Sequence, residues 1–283
     1  MFPTPIERAS PALQWLYKAG LPVALLVWLA PIIAVMLTSI RGQGDLTSGN
    51  YWGIPTQWRI AENYAAVFTN TPILHYIGNS FLVTIPTVIG AVALSCLAGF
   101  ALGVYRFKLN LLVFFIFVGG NFVPFQILMV PVRDLSLKLG LYDTVTGLVL
   151  FHVAFQTGFC TFFMRNFIRE LPSELIDAAR VEGATEFQIF WRVVLPLVRP
   201  AIAALAVLIF TFIWNDYFWA TIMAQSADVR PVTAGMNELK GQWKVAWELI
   251  AAASIIAALP PVAMFFLMQK HFIAGLTLGA TKG

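Results

Sequence analysis

Charge is what this sequence has least of. Of 283 residues, 18 are Lys or Arg and 14 are Asp or Glu, so 11% are charged while 59% are hydrophobic. A soluble domain carries about 25% charged and about 45–50% apolar residues. So few charges cannot cover a water-facing surface, and lipid is the solvent that fits. The net charge of +4 is too small to argue for a nucleic-acid partner.

Other scarcities exclude further classes. Cys96 and Cys160 lie far apart inside apolar runs with no C-x-x-C spacing, and read as small buried hydrophobes. His75, His152 and His271 form no pair at helical metal-ligand spacing. No paired carboxylates or nucleophile–base set stands within an apolar segment, so the chain does not read as an enzyme. A G-x-x-x-x-G-K-[ST] phosphate loop is also missing, so nucleotide is not bound here. No small-residue cleavage site follows a short apolar core, so the first apolar segment reads as a retained span.

What is abundant is apolar sequence in runs of about 20 residues, the length that crosses a bilayer as a helix. Six stretches qualify: Ala19–Ile40, a segment within Ile77–Tyr105, Leu109–Val132, Thr144–Met164, about Pro200–Gln225, and Leu249–Gln269. Gly119, Gly120, Pro124 and Pro131 interrupt the third. The expected fold is an all-α membrane protein with six transmembrane helices. Residues 1–18 would form an N-terminal segment, 19–269 the membrane domain and 270–283 a C-terminal tail. With the N-terminus inside, the inner segments hold eleven Lys and Arg and the outer loops seven. That bias places both termini in the cytoplasm. Residues 41–76, with Trp52, Trp58 and Tyr64, then form an outer segment long enough for a partner contact.

The largest inner loop, residues 165–200, contains LPSELIDAARVEGATEFQIFWRVVLPLVRP from Leu171 to Pro200. Ser173 suits an N-cap, with Glu174 and Asp177 in the first turn, where the helix dipole favours acids. Leu175, Ala178 and Ala179 share a face at i, i+3 and i+4. Gly183 can adopt the left-handed conformation that ends a helix. Thr185–Gln188 has capping-box spacing and would start a second helix, with Phe187, Phe190, Trp191 and Val194 as its apolar face. Pro196 and Pro200 would close it. By these rules alone the loop is a helix–turn–helix hairpin at the membrane surface, equally consistent with an ordinary interfacial hairpin.

Asp177-Ala178-Ala179, then Gly183, then Leu195-Pro196 resembles the EAA loop of ABC importer permeases, with Asp177 where Glu is usual and Val193 where Ile is usual. Trp214-Asn215-Asp216-Tyr217, the outer segment Arg230–Trp243 and the tail Lys270–Gly283 are similar to the carbohydrate branch, specifically to the maltose-transporter G-type permease. The resemblance runs from about Pro124 to the end; the first hundred residues match in hydropathy alone. It implies a permease subunit of an ATP-driven, binding-protein-dependent sugar importer in a bacterial inner membrane. Glu174, Asp177, Ala178, Ala179 and Gly183 would then form the coupling helix and its turn, docking on a cytoplasmic ATPase dimer that binds ATP and Mg. A second homologous permease subunit and an extracytoplasmic substrate-binding protein would complete the assembly. The particular sugar is not written in the sequence.

Asp216 is the one charged residue within an expected span, about 24 Å from Pro200 at 1.5 Å per residue. An intramembrane acid is a functional candidate, but Asp216 reads first as a carboxylate that reaches outer water or pairs with a neighbouring subunit. Asn215, Trp214 and Tyr217 are residue types that hold sugars and, equally, types that form an interfacial belt. Asn121, Gln126, His152 and Gln156 read first as helix–helix hydrogen-bonding groups. A secondary transporter would need more buried acids than Asp216 and paired broken helices.

Overall fold

The computed structural model describes residues 10–239 and 245–278, with side chains through Gln269. The named elements among them are all helices; one isolated bridge joins Arg41 and Trp58. Four helices are long and apolar enough to cross a membrane: α1 (Pro11–Ile40), α2 (Ile73–Val104), α5 (Val145–Arg169) and α9 (Trp247–Leu278, apolar to Gln269). Two bent pairs raise the number to six if each is one span. The helix α1 absorbs residues 11–18, expected to lie outside the membrane domain, and α9 runs on through most of the expected tail. The last residues of that tail, and Lys240 and Lys244, lie outside the described residues.

The chain divides into two compact units. The first holds α1, residues 41–71 and the described residues between Glu238 and Ile256. Arg41 organises it. Its side chain is buried, and its guanidinium donates to the carbonyls of Leu37 at 3.1 Å, Gly53 at 3.1 Å and Asn50. Asn63 adds bonds of 2.9 Å to the carbonyls of Ser39 and Arg41. Among the outer-loop cations of the sequence count, Arg41 instead satisfies one carbonyl in the last turn of α1, that of Leu37, and ties it to the carbonyls of Asn50 and Gly53 in the segment that follows.

The second unit spans Pro72–Asn237 and resumes at Ala257. Its centre is the contact of α2 with α5. A Cβ on Gly99 would stand 2.9 Å from Arg165 N and Met164 Cβ, and one on Gly103 would stand 3.2 Å from Ile168 Cγ2. In lipid, where apolar burial gives little drive, such close backbone approach is what joins helices. Around this contact Leu148, Cys160, Met164, Ile189, Leu205 and Ile209 form a buried core.

Two expected spans are not straight. The third splits into α3 (Asn110–Gly119) and α4 (Met129–Lys138), in arms that meet at 88°. The break carries Gly119, Gly120 and Pro124, the residues that weaken a helix there. The fifth begins with α7 (Arg199–Trp214), but this helix stops at Trp214 and a short α8 (Phe218–Met223) follows. The expectation of one helix from Pro200 to Gln225 is corrected here. Asp216 carries the stop, because its carboxylate takes the free amides of the new helix.

Candidate functional site

The hairpin in the loop 165–200 is built largely from local rules. Its first helix, α6 (Ser173–Val181), ends in a Schellman turn. Gly183 has φ +82°, Gly183 N donates to Arg180 O and Ala184 N to Ala179 O, each at 3.0 Å. The second half opens with the Thr185–Gln188 capping box, both bonds present. A five-residue π turn, Phe190–Val194, then carries the chain to Leu195–Leu197 and a 74° bend into α7.

Two details of the hairpin differ from expectation. Ser173 is the first helical residue, not the cap: Pro172 holds the cap position, and its carbonyl accepts from Leu175 N at 3.2 Å. The expected single face of Leu175, Ala178 and Ala179 is divided. Ile176 is buried and Ala179 partly buried against the core, whereas Leu175, Ala178 and Val181 are exposed. Ile176 joins the buried cluster that also holds Ile168 of α5, with Leu171 packed against that cluster. The Phe187–Val194 face divides likewise, with Phe190 and Val194 buried and Phe187 and Trp191 outward. The hairpin therefore presents Glu174, Asp177 and an apolar strip outward while Ile176 anchors it.

A charged network, not foreseen from the sequence, braces the turn. Arg180 Nε lies 2.8 Å from Glu186 Oε1, and Arg180 Nη1 lies 3.2 Å from Asp177 Oδ1. Tyr105, just past the end of α2, donates to Glu186 Oε2 at 2.6 Å. The hydrogen bond from Arg180, and then that from Tyr105, holds the Glu186 carboxyl below the usual carboxylate range. Opposite charges three residues to either side of Gly183 were the available signal. Tyr105 is 81 positions from Glu186, so no local pattern joins them.

The Trp214–Tyr217 group divides by exposure. Trp214 is buried: its indole N–H donates to Ala257 O at 2.9 Å and its ring lies between Phe81 and Phe210. It is a packing residue, with its one donor already used. Asp216 accepts from Ala220 N at 2.9 Å and Trp219 N at 3.3 Å, capping α8. His152 Nε2, from α5, stands 3.6 Å from Asp216 Oδ2. Asn215 and Tyr217 are exposed; Asn215 donates to Thr211 O, and Asn237 Nδ2 lies 2.8 Å from the Tyr217 hydroxyl. Among the described residues no cluster of three His, Cys, Asp or Glu could hold a metal ion.

With this geometry in place, three comparisons bear on the chain. A profile of the family described as binding-protein-dependent transport system inner membrane component matches residues 80–277. The arabinooligosaccharides transport system permease protein AraQ of Halalkalibacterium halodurans is 32% identical over 280 residues, covering 98% of this chain and 99% of its own. In the crystal structure of a bacterial ABC transporter involved in import of the acidic polysaccharide alginate, one chain superposes with TM-score 0.81 at 22% identity, covering 96% of this chain and 99% of that one. A chain of the bacterial alginate ABC transporter in complex with an alginate pentasaccharide-bound periplasmic protein matches at TM-score 0.67 and 17% identity, over 90% of this chain and 92% of that one. These two likenesses show the fold.

Proposed function

This chain belongs to the family of binding-protein-dependent transport system inner membrane components, and from that premise we propose that it is a permease subunit of an ATP-driven importer of sugars or sugar derivatives. In this reading each bent pair completes a span, giving six, with both termini cytoplasmic and residues 165–200 as the coupling loop. A second, homologous permease forms the other half of the pathway. A cytoplasmic ATPase dimer binds ATP and Mg, and a substrate-binding protein delivers the sugar from outside. The carbohydrate class rests on the arabinooligosaccharide relative and on the residue types of Asn215 and Tyr217.

The observation that carries the coupling role is the braced hairpin. Glu174, Asp177, Leu175, Ala178 and Val181 face outward on a helix whose far end is fixed by Gly183, the capping box and the Arg180–Glu186 pair. A rigid helix seated by Ile176 transmits a displacement of the ATPase into α7 through the bend that follows. Asn215 and Tyr217 line the path in this scheme, while Trp214 and Asp216 hold the break that presents them. The chain itself hydrolyses nothing.

The test is uptake into proteoliposomes holding the chain with its cognate second permease, ATPase and binding protein. A labelled arabinooligosaccharide should accumulate with internal ATP and not without it. Accumulation driven by an ion gradient in the absence of ATP would instead make the chain a secondary transporter.

A further inference from the structure

Beside the hairpin lies an open cavity of about 1020 Å³, bounded by the ends of α2 and α5, the 105–109 linker, the start of α3 and the side of α6 that carries Ser173, Ile176, Arg180 and the solvent-exposed Asp177. Its walls carry Arg106, Lys108, Arg165, Arg169 and Arg180 against one acid, Asp177. Asp177 is already the partner of Arg180 at 3.2 Å. Arg165 is buried, donates to Leu102 O at 3.2 Å and lies 4.0 Å over the Phe114 ring. Arg106, Lys108 and Arg169 make no ion pair within 4.0 Å among the described residues. Beyond their share in the inner-loop charge that orients the chain, the permease reading gives these three cations no partner.

Concentrating like charge on one concave wall is unfavourable unless an anion neutralises it. The rest of the wall says which kind. Ile168, Ile176 and Leu111 give it apolar surface. From Leu111 the outer face of α3 continues through Leu112, Phe115 and Ile116, all more than half exposed. A soluble phosphate would leave that surface unused. A molecule with an anionic head and acyl chains covers both parts at once, and basic recesses between helices at the inner leaflet suit such heads.

We infer that this cavity holds the headgroup of an anionic phospholipid, its phosphate between Arg106, Lys108 and Arg169 and its acyl chains along α3. Ile176 and Arg180 belong to the same wall, so an occupied cavity supports the seat of the hairpin from the membrane side. The inference rests on the proposed orientation in placing the lipid in the inner leaflet; the binding chemistry does not depend on it.

Native mass spectrometry of the assembled transporter, titrated with phosphatidylglycerol or with phosphatidylcholine of the same chains, tests this. The first phosphatidylglycerol should bind more tightly than phosphatidylcholine. In the triple variant R106Q/K108Q/R169Q that preference should fall by about tenfold or more. R106K/R169K with Lys108 intact should restore it. Equal thermal unfolding of wild type and variant in phosphatidylcholine keeps a folding defect apart, and in the wild type alone 0.5 M salt (about a 4 Å Debye length) should remove the preference. Equal binding of the two lipids to the wild type, or a preference that survives the triple variant, would overturn the proposal. So would displacement by an equal concentration of inorganic phosphate, which would mark a free-anion site. A preference shown by the permease pair without its ATPase but absent from the assembled transporter would also overturn it, the cavity then being filled by the ATPase. Failure of the orientation leaves lipid binding in place and appears in the reporter fusions below.

Discussion

Arg180 Nε stands 2.8 Å from Glu186 Oε1 across the left-handed turn at Gly183. The pair closes the hairpin with charge where the Schellman turn closes it with backbone, and Tyr105 ties the closure to the end of α2. Both side chains are more than a third exposed, so solvent screening keeps the stabilisation local and small.

That pair makes the hairpin pH-dependent in one direction. The folded carboxyl of Glu186 titrates below its ordinary 4.5, so its stabilisation is fully present above that value and is lost as pH falls through the lower, folded value. Hydrogen exchange at the Gly183 and Ala184 amides should be slow at pH 6 and accelerate, relative to α5 amides, below about pH 4.5. Glu186→Gln should exchange faster at pH 6 and show no such step. An unchanged step in Glu186→Gln would assign it to another carboxylate.

Gly183 is constrained by its backbone alone, since an added Cβ would meet nothing within 4 Å. Holding an ordinary residue at φ +82° costs about 1–2 kcal/mol, and more for a β-branched one. ATP-driven uptake should therefore decline in the order Gly, Asn, Ala, Val, with Gly183→Val retaining ATPase activity and losing most transport. Asp177→Lys reverses an outward charge and replaces the partner of Arg180. It should raise ATP hydrolysed per sugar delivered. Normal coupling in both variants would reduce the hairpin to an interfacial element.

Asp216 and its neighbour Asn215 should respond oppositely. Asp216→Asn keeps an acceptor for the Trp219 and Ala220 amides, so uptake should stay close to wild type. Asp216→Ala removes the cap and should destabilise the chain by about 1 kcal/mol, read as a lower unfolding temperature in detergent. Asn215→Ala should reduce uptake strongly without lowering the yield of assembled complex, because an unsatisfied sugar hydroxyl costs about 1–3 kcal/mol. If the yield falls instead, Asn215 is structural and leaves the pathway.

Reporter fusions check the orientation. Fusions after Leu46 and after Asn237 should report outside, and a fusion after Glu182 inside. An outside result at Glu182 would remove the ATPase-facing role of α6 together with the topology.

The membrane class, the places of the apolar runs, the Gly183 turn and the Thr185–Gln188 box were all decided by the sequence itself. Each depends on composition or on residues within about four positions, where glycine's freedom, a hydroxyl cap or a run of apolar side chains acts without distant partners. Tertiary structure alone decided which of these groups remain available for function. Ile176 rather than Leu175 became the anchor because α5 lies on that side, and Trp214 went into the core because Phe81, Phe210 and Ala257 surround it. Asp216 became a cap facing His152, and Arg41 a buried donor to three carbonyls. Partners such as Phe81 for Trp214 lie far along the chain, and Tyr105 and Glu186 are likewise 81 positions apart. At such separations packing chooses the neighbour, and helical periodicity carries no record of it.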